Sequence, residues 1–264
     1  MKIAVVGATG AVGEEFIKIL NQDNEYFKKL TKINLYASKK SVGKQYNIQG
    51  IDYSVSELNN NIFKDIDVAF FFVSSILSRE YSKYALENNC IIIDNSSAFR
   101  MSHPLIVPEI NQKNITGNII ANPNCSSIML CMVLYPLYQI SKIKKLVVST
   151  YQAVSGAGYQ GIEELNSQIR KYSYGEKIFP SYFPSQCVNN VFSHNTPIDL
   201  DTGNNEEEEK IINETKKILD DQDIDISATC IRIPVFRAHC ESVNITFEDE
   251  INLDLITNTL NRFP

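Results

Sequence analysis

A cysteine at a loop-to-helix junction is the residue best placed to do chemistry in this 264-residue chain. Cys125 follows the polar stretch Asn122–Asn124 and precedes an apolar helical pattern. A helix N-terminus favours the thiolate, which is the nucleophilic form of cysteine. The remaining cysteines lie in apolar strands or helices, or in loops that lack this setting, where a small buried hydrophobe is the better interpretation. We therefore expect Cys125 to act as a nucleophile.

A nucleophile needs an acid or base, and His239 is the leading candidate among three histidines. His103 and His194 lie in loop-like segments and are assigned no role. His239 lies between two predicted strands, which places it at the edge of a rigid scaffold. A single histidine is as often structural as catalytic, but its pairing with Cys125 favours acid–base chemistry.

Two arginines and one charged pair are candidates for binding an anion. Arg232 lies inside an apolar strand and needs a partner, either a protein carboxylate or a substrate anion. Arg100 ends a polar loop after a buried strand, where open α/β sheets bind ligands. Glu207 and Lys210 are one turn apart on a predicted helix. On spacing alone, a surface ion pair worth a few tenths of a kcal/mol is the better interpretation.

The N-terminal segment contains a glycine motif, G-x-x-G-x-x-G, over Gly7–Gly13. Glycines between a strand and a helix let the backbone approach a pyrophosphate at the helix N-terminus. The alternative is a tight turn with no ligand, but the strand-to-helix context favours a dinucleotide. At the end of the second strand no carboxylate is found, whereas Ser38, Lys39 and Lys40 would suit a 2′-phosphate. NADP is therefore preferred over NAD, the alternative being a solvated basic turn.

The elements that position these residues alternate in type. Predicted strands at Lys2–Val6, Ile33–Tyr36, Ile66–Val73 and Cys90–Ile93 alternate with helices, one of them Ser78–Asn88. This order indicates βαβ units and a doubly wound α/β sheet. The pattern of predicted strands and helices changes after residue 121, so we predict domains at 1–121 and 122–264. The second contains helices at Ser126–Tyr138, Tyr159–Tyr172, Glu206–Leu219 and Ile251–Phe263, strands at Lys145–Ala153, Ala228–Val235 and Ser242–Phe247, and a long loop over 173–200.

Composition excludes several classes of protein. The hydrophobic fraction of 44% and charged fraction of 21% are those of a globular chain. A formal charge of -6 argues against a nucleic-acid partner. The longest apolar run, Ile128–Tyr135, is too short to span a membrane. The cysteines show no metal-ligand spacing and no secretory segment precedes them, so we expect free thiols in a reducing cytoplasm and no bound metal.

Taken together, these motifs resemble the aspartate-semialdehyde dehydrogenases from residue 1 to the last residue. Two motifs, NPNCSS (122–127) and IRIPVFRAHCESVN (231–244), carry most of the specificity. Supporting stretches are GATGAVG (7–13), IDNSSAFR (93–100), VPEIN (107–111), YQAVSGAG (151–158) and the E-x-x-K helix (207–210). The resemblance implies a Rossmann-type dinucleotide-binding domain followed by an α+β catalytic and dimerisation domain of the glyceraldehyde-3-phosphate-dehydrogenase-like type. It also implies a homodimer formed through the second domain's sheet.

The resemblance further implies a reaction and roles for individual residues. Aspartyl phosphate would be reduced with NADPH to aspartate semialdehyde and phosphate, in the biosynthesis of lysine, methionine and threonine. Cys125 would accept the acyl group, His239 would be the general acid/base, and Gln152 would orient the substrate. Substrate binding would involve Arg232 at the carboxylate, Arg100 and Lys210 at the phosphate, and Glu207 and Asn124 beside them. NADP would be bound by Gly7, Thr9, Gly10, Ala11, Val12, Gly13, Ser38, Lys40, Ser41 and Gly158.

Two other functions are kept as alternatives. One is another acyl-phosphate reductase, such as N-acetyl-glutamyl-phosphate reductase, which also uses a cysteine. The other is a catalytically silent NADP-binding or interaction protein. Members of the family usually continue past this length, with a further stretch of the catalytic domain and a helix carrying an Asn near the nicotinamide. We therefore expect a C-terminally truncated chain rather than a natural short form.

Overall fold

The computed structural model describes residues 1–22, 24–194 and 196–263, with no account of the Asn24 side chain. The chain divides into two compact units. The first unit comprises Met1–Ile106 and Gln112–Pro123, and the second comprises Val107–Asn111 and Asn124–Pro264.

The first unit is built on a seven-stranded sheet with the order β3-β4-β2-β1-β5-β6-β7. All neighbouring strands are parallel except the antiparallel pair β3 and β4. The elements are β1 (Lys2–Val6), α1 (Ala11–Gln22), α2 (Asn24–Phe27), β2 (Lys32–Ala37), β3 (Gln45–Ile48), β4 (Ile51–Glu57), β5 (Val68–Phe71), α3 (Ser75–Glu87), β6 (Ile91–Asp94) and β7 (Ile119–Ala121). This parallel arrangement confirms the predicted α/β sheet.

The core of this sheet follows from its hydrophobic pattern. β1 is buried along nearly its whole length, because parallel strands are covered on both faces. Ile17 and Leu20 of α1 pack into the same core as Ile3 and Leu35. The apolar pattern of Phe16, Ile17, Ile19 and Leu20 predicts that all four lie on one packed side of α1. This is wrong for Ile19, which is 59% exposed.

The hairpin β3–β4 was not among the predicted strands. Its two-residue turn is formed by Gln49 and Gly50, both with positive φ values of 52° and 80°. Such turns match the right-handed twist of the flanking strands and are usually signalled by Asn-Gly or Asp-Gly. Gln49 gives a weaker signal at the same position, and both strands carry many polar residues.

The second unit contains a four-stranded sheet with the order β11-β8-β10-β9. Its elements are α4 (Pro108–Asn111), α5 (Cys125–Tyr138), β8 (Ile143–Gln152), α6 (Gly158–Ser173), β9 (Phe192–Ser193), α7 (Glu206–Leu219), β10 (Asp225–Arg232), β11 (Cys240–Phe247) and α8 (Leu253–Arg262). β8 pairs in parallel with β10 and antiparallel with β11. The two strands that follow one another in sequence, β10 and β11, therefore flank β8 instead of pairing with each other.

One face of this sheet packs against helices α5 and α7. Leu146 and Val148 of β8 are buried there with Leu130 and Leu134 of α5 and Ile211 of α7. Burial alternates along β8, as expected for a sheet with one covered face. Among the described residues, none of the helices is both long and apolar enough to cross a lipid bilayer.

Candidate active site

The ends of three strands meet at one edge of the second unit's sheet. Gln152, the last residue of β8, lies opposite Arg232, the last residue of β10. On the other side of β8, Cys240 at the start of β11 pairs with Tyr151. His239 directly precedes Cys240, so the topology brings Gln152, Arg232 and His239 to the same edge.

Cys125 is the first residue of α5, and Asn124 is its N-cap. The Asn124 side-chain oxygen accepts a hydrogen bond of 2.9 Å from the Ser126 amide, as N-cap residues commonly do. The Asn124 amide donates to Glu214 Oε2 at 2.6 Å, and Asn124 Nδ2 donates to Glu207 Oε1 at 2.8 Å. The start of α5 is therefore anchored to α7, while Cys125 itself is exposed.

Glu207 is a buried carboxylate at the start of α7, only 4% exposed. Its Oε1 accepts hydrogen bonds from Asn124 Nδ2 at 2.8 Å and from Gln152 Nε2 at 3.2 Å, and Lys210 Nζ lies 3.6 Å from Oε2. Burial alone would raise the pKa of Glu207, but the charge of Lys210 and these hydrogen bonds lower it. Glu207 is therefore ionised at neutral pH.

The interpretation of Glu207 and Lys210 as a surface pair is wrong for Glu207. Lys210 is half-buried, and its nearest carboxylate is Glu206 Oε1 at 2.8 Å. Spacing along a helix does not reveal that one face is covered by the ends of β8 and α5. Only the tertiary contacts turn an ordinary i,i+3 pair into part of a buried cluster.

Gln152 is tied to its surroundings by its side-chain nitrogen. Nε2 lies 3.2 Å from Ser126 Oγ, 3.3 Å from Thr150 Oγ1 and 3.2 Å from Glu207 Oε1. Gln152 is 1% exposed, so these contacts hold the amide in one orientation. This arrangement brings Gln152 together with Glu207 and the first turn of α5.

His239 is oriented by the backbone. Its Nδ1 accepts a hydrogen bond of 3.0 Å from the Ala153 amide, so a neutral ring carries its proton on Nε2. Burial lowers the pKa of His239; the charge of Arg232 acts in the same direction and Glu207 acts against it. A Cβ built on Gly156 would lie 3.4 Å from His239 Nε2 and 3.1 Å from Arg232 Nη1. These two nitrogens therefore face the same glycine.

Arg232 is the largest fully buried side chain of the second unit, at 1% exposure. Nη1 donates to the Ala153 carbonyl at 2.7 Å, and Nη2 lies 2.8 Å from His194 Nε2. The guanidinium also lies over the Phe183 ring, 5.8 Å from its centroid. The sequence did not indicate this contact between His194 and Arg232. The signal was weak because β9, which positions His194, has only two residues.

The other cysteines differ from Cys125 in their burial. Burial raises the pKa of Cys90, Cys131 and Cys230 to about 12 and that of Cys187 to about 11. These four are buried free thiols, as expected. Cys240 is exposed, so its interpretation as a buried hydrophobe is wrong. It begins the strand β11 and points out of the core by the strand's alternation.

The glycine motif of the first unit forms a tight connection between β1 and α1. Gly7 has a φ of +87°, and a Cβ there would lie 2.3 Å from the Phe72 carbonyl oxygen. A Cβ on Gly13 would lie 2.3 Å from the Gly7 carbonyl oxygen. The amides of Gly7 and Ala8 donate to Tyr36 O at 2.8 and 3.0 Å. The backbone is thus closely packed where a pyrophosphate would approach it.

The loop after β2 lies beside the glycine motif. Thr9 Oγ1 and Ser41 Oγ are 3.1 Å apart and share a hydrogen bond. Lys39–Ser41 form a short helical turn after Ser38, with Lys39 and Lys40 exposed. Ala11, Val12 and Gly13 form the first turn of α1. Hydroxyl and ammonium groups therefore stand at the end of β2, and β2 itself ends on Ala37 without a carboxylate.

Three of the remaining candidate residues fall in different units. Arg100 is half-buried in the first unit, where Nε donates to Asn122 O at 3.1 Å and Nη2 donates to Asn95 O at 3.0 Å. Gly158 begins α6 in the second unit with a φ of +73°, and Lys210 also belongs to that unit. In the described part of the chain, no three His, Cys, Asp or Glu residues are grouped so as to hold a metal ion.

Comparison with known proteins assigns the chain to a family. The profile described as "Semialdehyde dehydrogenase, NAD binding domain" matches residues 2–118, and that described as "Semialdehyde dehydrogenase, dimerisation domain" matches 134–264. The aspartate-semialdehyde dehydrogenase of Aquifex aeolicus is 41% identical over 271 residues, which cover 100% of this chain and 78% of that protein. The chain belongs to the aspartate-semialdehyde dehydrogenase family.

Other aspartate-semialdehyde dehydrogenases support the assignment. That of Rickettsia conorii is 43% identical over 95% of this chain and 74% of its own length. The crystal structure of aspartate-semialdehyde dehydrogenase II from Vibrio cholerae has a TM-score of 0.92 at 34% identity, covering 99% of this chain and 79% of that one. The predicted order of a Rossmann-type domain followed by a dimerisation domain is thus confirmed.

Proposed function

We propose that this chain catalyses the NADP-dependent reductive dephosphorylation of L-aspartyl-4-phosphate to L-aspartate-4-semialdehyde. The family assignment supports the reaction, and a Vibrio cholerae relative with a TM-score of 0.93 is described as complexed with ASA. The observation that carries the proposal is the pair of hydrogen bonds formed by the main chain of Ala153. Its carbonyl accepts from Arg232 and its amide donates to His239, so one residue orients an anion-binding group and a hydrogen-bond donor for the oxyanion together.

Covalent chemistry starts at Cys125. Its thiolate attacks the acyl carbon of aspartyl phosphate, the C–O bond to phosphate breaks, and an S–C bond forms a thioester on the enzyme. The position at the N-terminus of α5 favours the thiolate, and the exposure of Cys125 leaves it open to the substrate. Bound NADPH supplies the hydride that reduces this thioester.

His239 stabilises the negative charge that develops during the reduction. Its Nδ1 accepts from the Ala153 amide, so the ring proton is on Nε2. Nε2 donates a hydrogen bond to the oxyanion at the former carbonyl, and the proton stays on the ring because its loss from a neutral imidazole would leave an imidazolate. The oxyanion then collapses to the aldehyde as the C–S bond breaks, and Cys125 is restored as the thiolate. Because burial lowers its pKa, His239 is largely neutral at neutral pH, so the general acid/base implied by the resemblance is proposed here as a hydrogen-bond donor.

The charged groups of the second unit match the substrate's two ends. Arg232 binds the carboxylate through its planar fork, and Lys210 contributes a cation for the phosphate. The ionised Glu207 suits the substrate's ammonium group. Asn124 and Gln152 donate hydrogen bonds to Glu207 and hold its carboxylate in place. Arg100, in the first unit, is proposed as a second phosphate ligand. A few local cations of this kind explain how an acidic protein binds an anion.

NADP is proposed as the cofactor because the residues of the first unit fit it. The glycine cradle at Gly7, Gly10 and Gly13 leaves no room for a Cβ on Gly7 or Gly13. Thr9 and the first-turn residues Ala11 and Val12 would bind the pyrophosphate. Ser38, Lys40 and Ser41 would bind the 2′-phosphate. Gly158 is proposed as a further cofactor residue.

The domain boundaries and the state of assembly complete the proposal. We propose a cofactor domain at 1–121 and a catalytic and dimerisation domain at 122–264, assembled as a homodimer through the sheet of the second domain. The profile matching 134–264 supports the dimer. The free cysteines are consistent with a cytoplasmic enzyme of amino-acid biosynthesis.

A steady-state assay tests the reaction. The purified chain is given L-aspartate semialdehyde, inorganic phosphate and NADP, and NADPH formation is followed by absorbance. We expect phosphate-dependent turnover that disappears in Cys125→Ser. N-acetyl-glutamate semialdehyde is the matched substrate: faster turnover with it would favour the acyl-phosphate reductase that uses that aldehyde. A rate equal to that of buffer with both aldehydes would favour a silent protein.

A further inference from the structure

His194 lies beside the anion-binding arginine because of a short strand pairing. β9 pairs antiparallel with β10, with Phe192 opposite Arg232 and Ser193 opposite Ile231. The His194 amide then donates to the Cys230 carbonyl at 3.0 Å. The backbone of His194 is thus tied to the strand that ends in Arg232, and its ring is half-buried at that end.

The protonation state of His194 follows from the geometry of its contact. Its Nε2 lies 2.8 Å from Arg232 Nη2, and a guanidinium can only donate hydrogen bonds. Nε2 must therefore be the acceptor, which leaves the ring proton on Nδ1, 3.4 Å from Thr196 Oγ1. Burial lowers the pKa of His194 to about 4; Arg232 and Lys210 act in the same direction and Glu207 acts against it. The ring is uncharged at neutral pH.

An uncharged acceptor has a specific advantage next to an arginine that must bind an anion. A carboxylate in this position would orient the guanidinium but would also cancel the charge that attracts the substrate. Imidazole orients Nη2 and leaves that charge in place. The Ala153 carbonyl does the same for Nη1 at 2.7 Å, and the Phe183 ring lies under the guanidinium plane. Each Nη atom of the guanidinium thus has a contact with a neutral group.

We propose that His194 is a positioning residue that holds Arg232 in the orientation that binds the substrate's carboxylate. His194 acts through Arg232 and takes no part in proton transfer. The inference rests on the proposed function, since it takes the carboxylate of aspartate semialdehyde as the ligand of Arg232.

Steady-state kinetics of three variants test the inference. His194→Ala should raise the KM for L-aspartate semialdehyde by about tenfold, the effect of losing one hydrogen bond to a charged group. Its kcat should stay within about threefold of the parent, and the KM for NADP should not change. His194→Gln, which keeps an acceptor oxygen, should recover most of the affinity. In an Arg232→Lys background, which lacks the Nη2 donor, His194→Ala should add less than about a twofold change.

Calorimetric titration of L-aspartate semialdehyde without NADP gives a second measurement that needs no turnover. The melting temperature of each variant checks that it folds. An unchanged KM and dissociation constant in His194→Ala would overturn the inference, as would an equal loss in the Arg232→Lys background or a failure of His194→Gln to recover. Absence of turnover in the parent would refute the proposed function, while the titration would still decide the role of His194. A parent that neither turns over nor binds the aldehyde would refute both.

Discussion

The glycine motif of the first unit and the charged cluster of the second are built in opposite ways. Gly7–Gly13 is one continuous segment whose shape depends on backbone conformation and on the absence of side chains. The cluster is made by side chains from separate segments: the start of α5, the ends of β8 and β10, the first turn of α7 and the loop before β11. A site formed by consecutive residues can be recognised in the sequence. A site formed by distant segments can be recognised only when the order of the strands is also known.

The two regions also differ in what holds them. In the glycine motif the constraint is steric, because a Cβ at Gly7 would meet the Phe72 carbonyl at 2.3 Å. In the cluster the constraint is polar, since the buried charged groups of Glu207 and Arg232 each need neighbours that form hydrogen bonds with them. Substitutions in the first region should therefore affect folding, and substitutions in the second should affect binding and turnover.

The largest effect is expected at Cys125, where chemistry and not packing is tested. Cys125→Ser should lower turnover of aspartate semialdehyde by roughly a thousandfold or more, because an alcohol is a far weaker nucleophile than a thiolate. The dissociation constant of the aldehyde, measured by calorimetry, should stay within about threefold of the parent value. Cys240→Ser is the matched control, since Cys240 is the other exposed cysteine. Full activity of Cys125→Ser would end the proposed mechanism.

The next effect tests the steric character of the glycine motif. Gly7→Ala should lower the free energy of unfolding by about 3 kcal/mol, from the strained φ and the clash with Phe72 O combined. Gly43→Ala is the control, because Gly43 has almost the same φ, +86°, with nothing within 4 Å of its Cβ. Urea unfolding of both variants separates the two contributions. Equal losses would show that the close approach at Gly7 is unimportant.

Arg232→Lys tests the hydrogen-bond geometry of the cluster at constant charge. The ammonium keeps the charge but loses the two-pronged fork, so the KM for aspartate semialdehyde should rise by about thirtyfold. The free energy of unfolding should change much less than in Gly7→Ala. A variant that binds the aldehyde normally but unfolds easily would place Arg232 among the structural residues instead.

A smaller effect is expected for the lysines after β2. Lys40→Ala should raise the KM for NADP by about fivefold, because one exposed cation near a phosphate contributes roughly 1 kcal/mol. The rate with NAD as cofactor is the internal control and should be unaffected. If the reactions with NADP and with NAD are weakened equally, the loop does not recognise the 2′-phosphate.

The smallest effect concerns the residue before His239. Ala238 has a φ of +72°, a region that non-glycine residues rarely adopt. Ala238→Gly relieves this strain but makes the unfolded chain more flexible, so the free energy of unfolding should change by less than about 1 kcal/mol. Any loss of kcat would then reflect a looser His239. Thermal unfolding and kcat measured on the same preparation distinguish these contributions; a large loss of stability would contradict the assignment of strain.

The sequence was sufficient for most helices and for the central strands. Glu206–Leu219 was predicted at its observed bounds, because its acidic first turn and basic last turn mark both ends. Cys125 and His239 could be proposed from the sequence because motifs surround them, and their roles stay predictions. The buried state of Glu207 and the contact between His194 and Arg232 were not predictable, since both depend on β8 lying between β10 and β11 and on the two-residue strand β9.

The hydrogen bonds of Ala153 have a consequence for how such a site can evolve. Its amide donates to His239 and its carbonyl accepts from Arg232, so both hydrogen bonds belong to the main chain and ask of the side chain only that it be small enough for a fully buried position. In a comparison of sequences, selection for this role would appear only as a small residue at position 153, which core packing alone would also explain. Proline is the exception: a φ of −64° at Ala153 suits its ring, and it would delete only the amide donor. An essential part of the site would thus be conserved as a backbone conformation and not as a particular side chain.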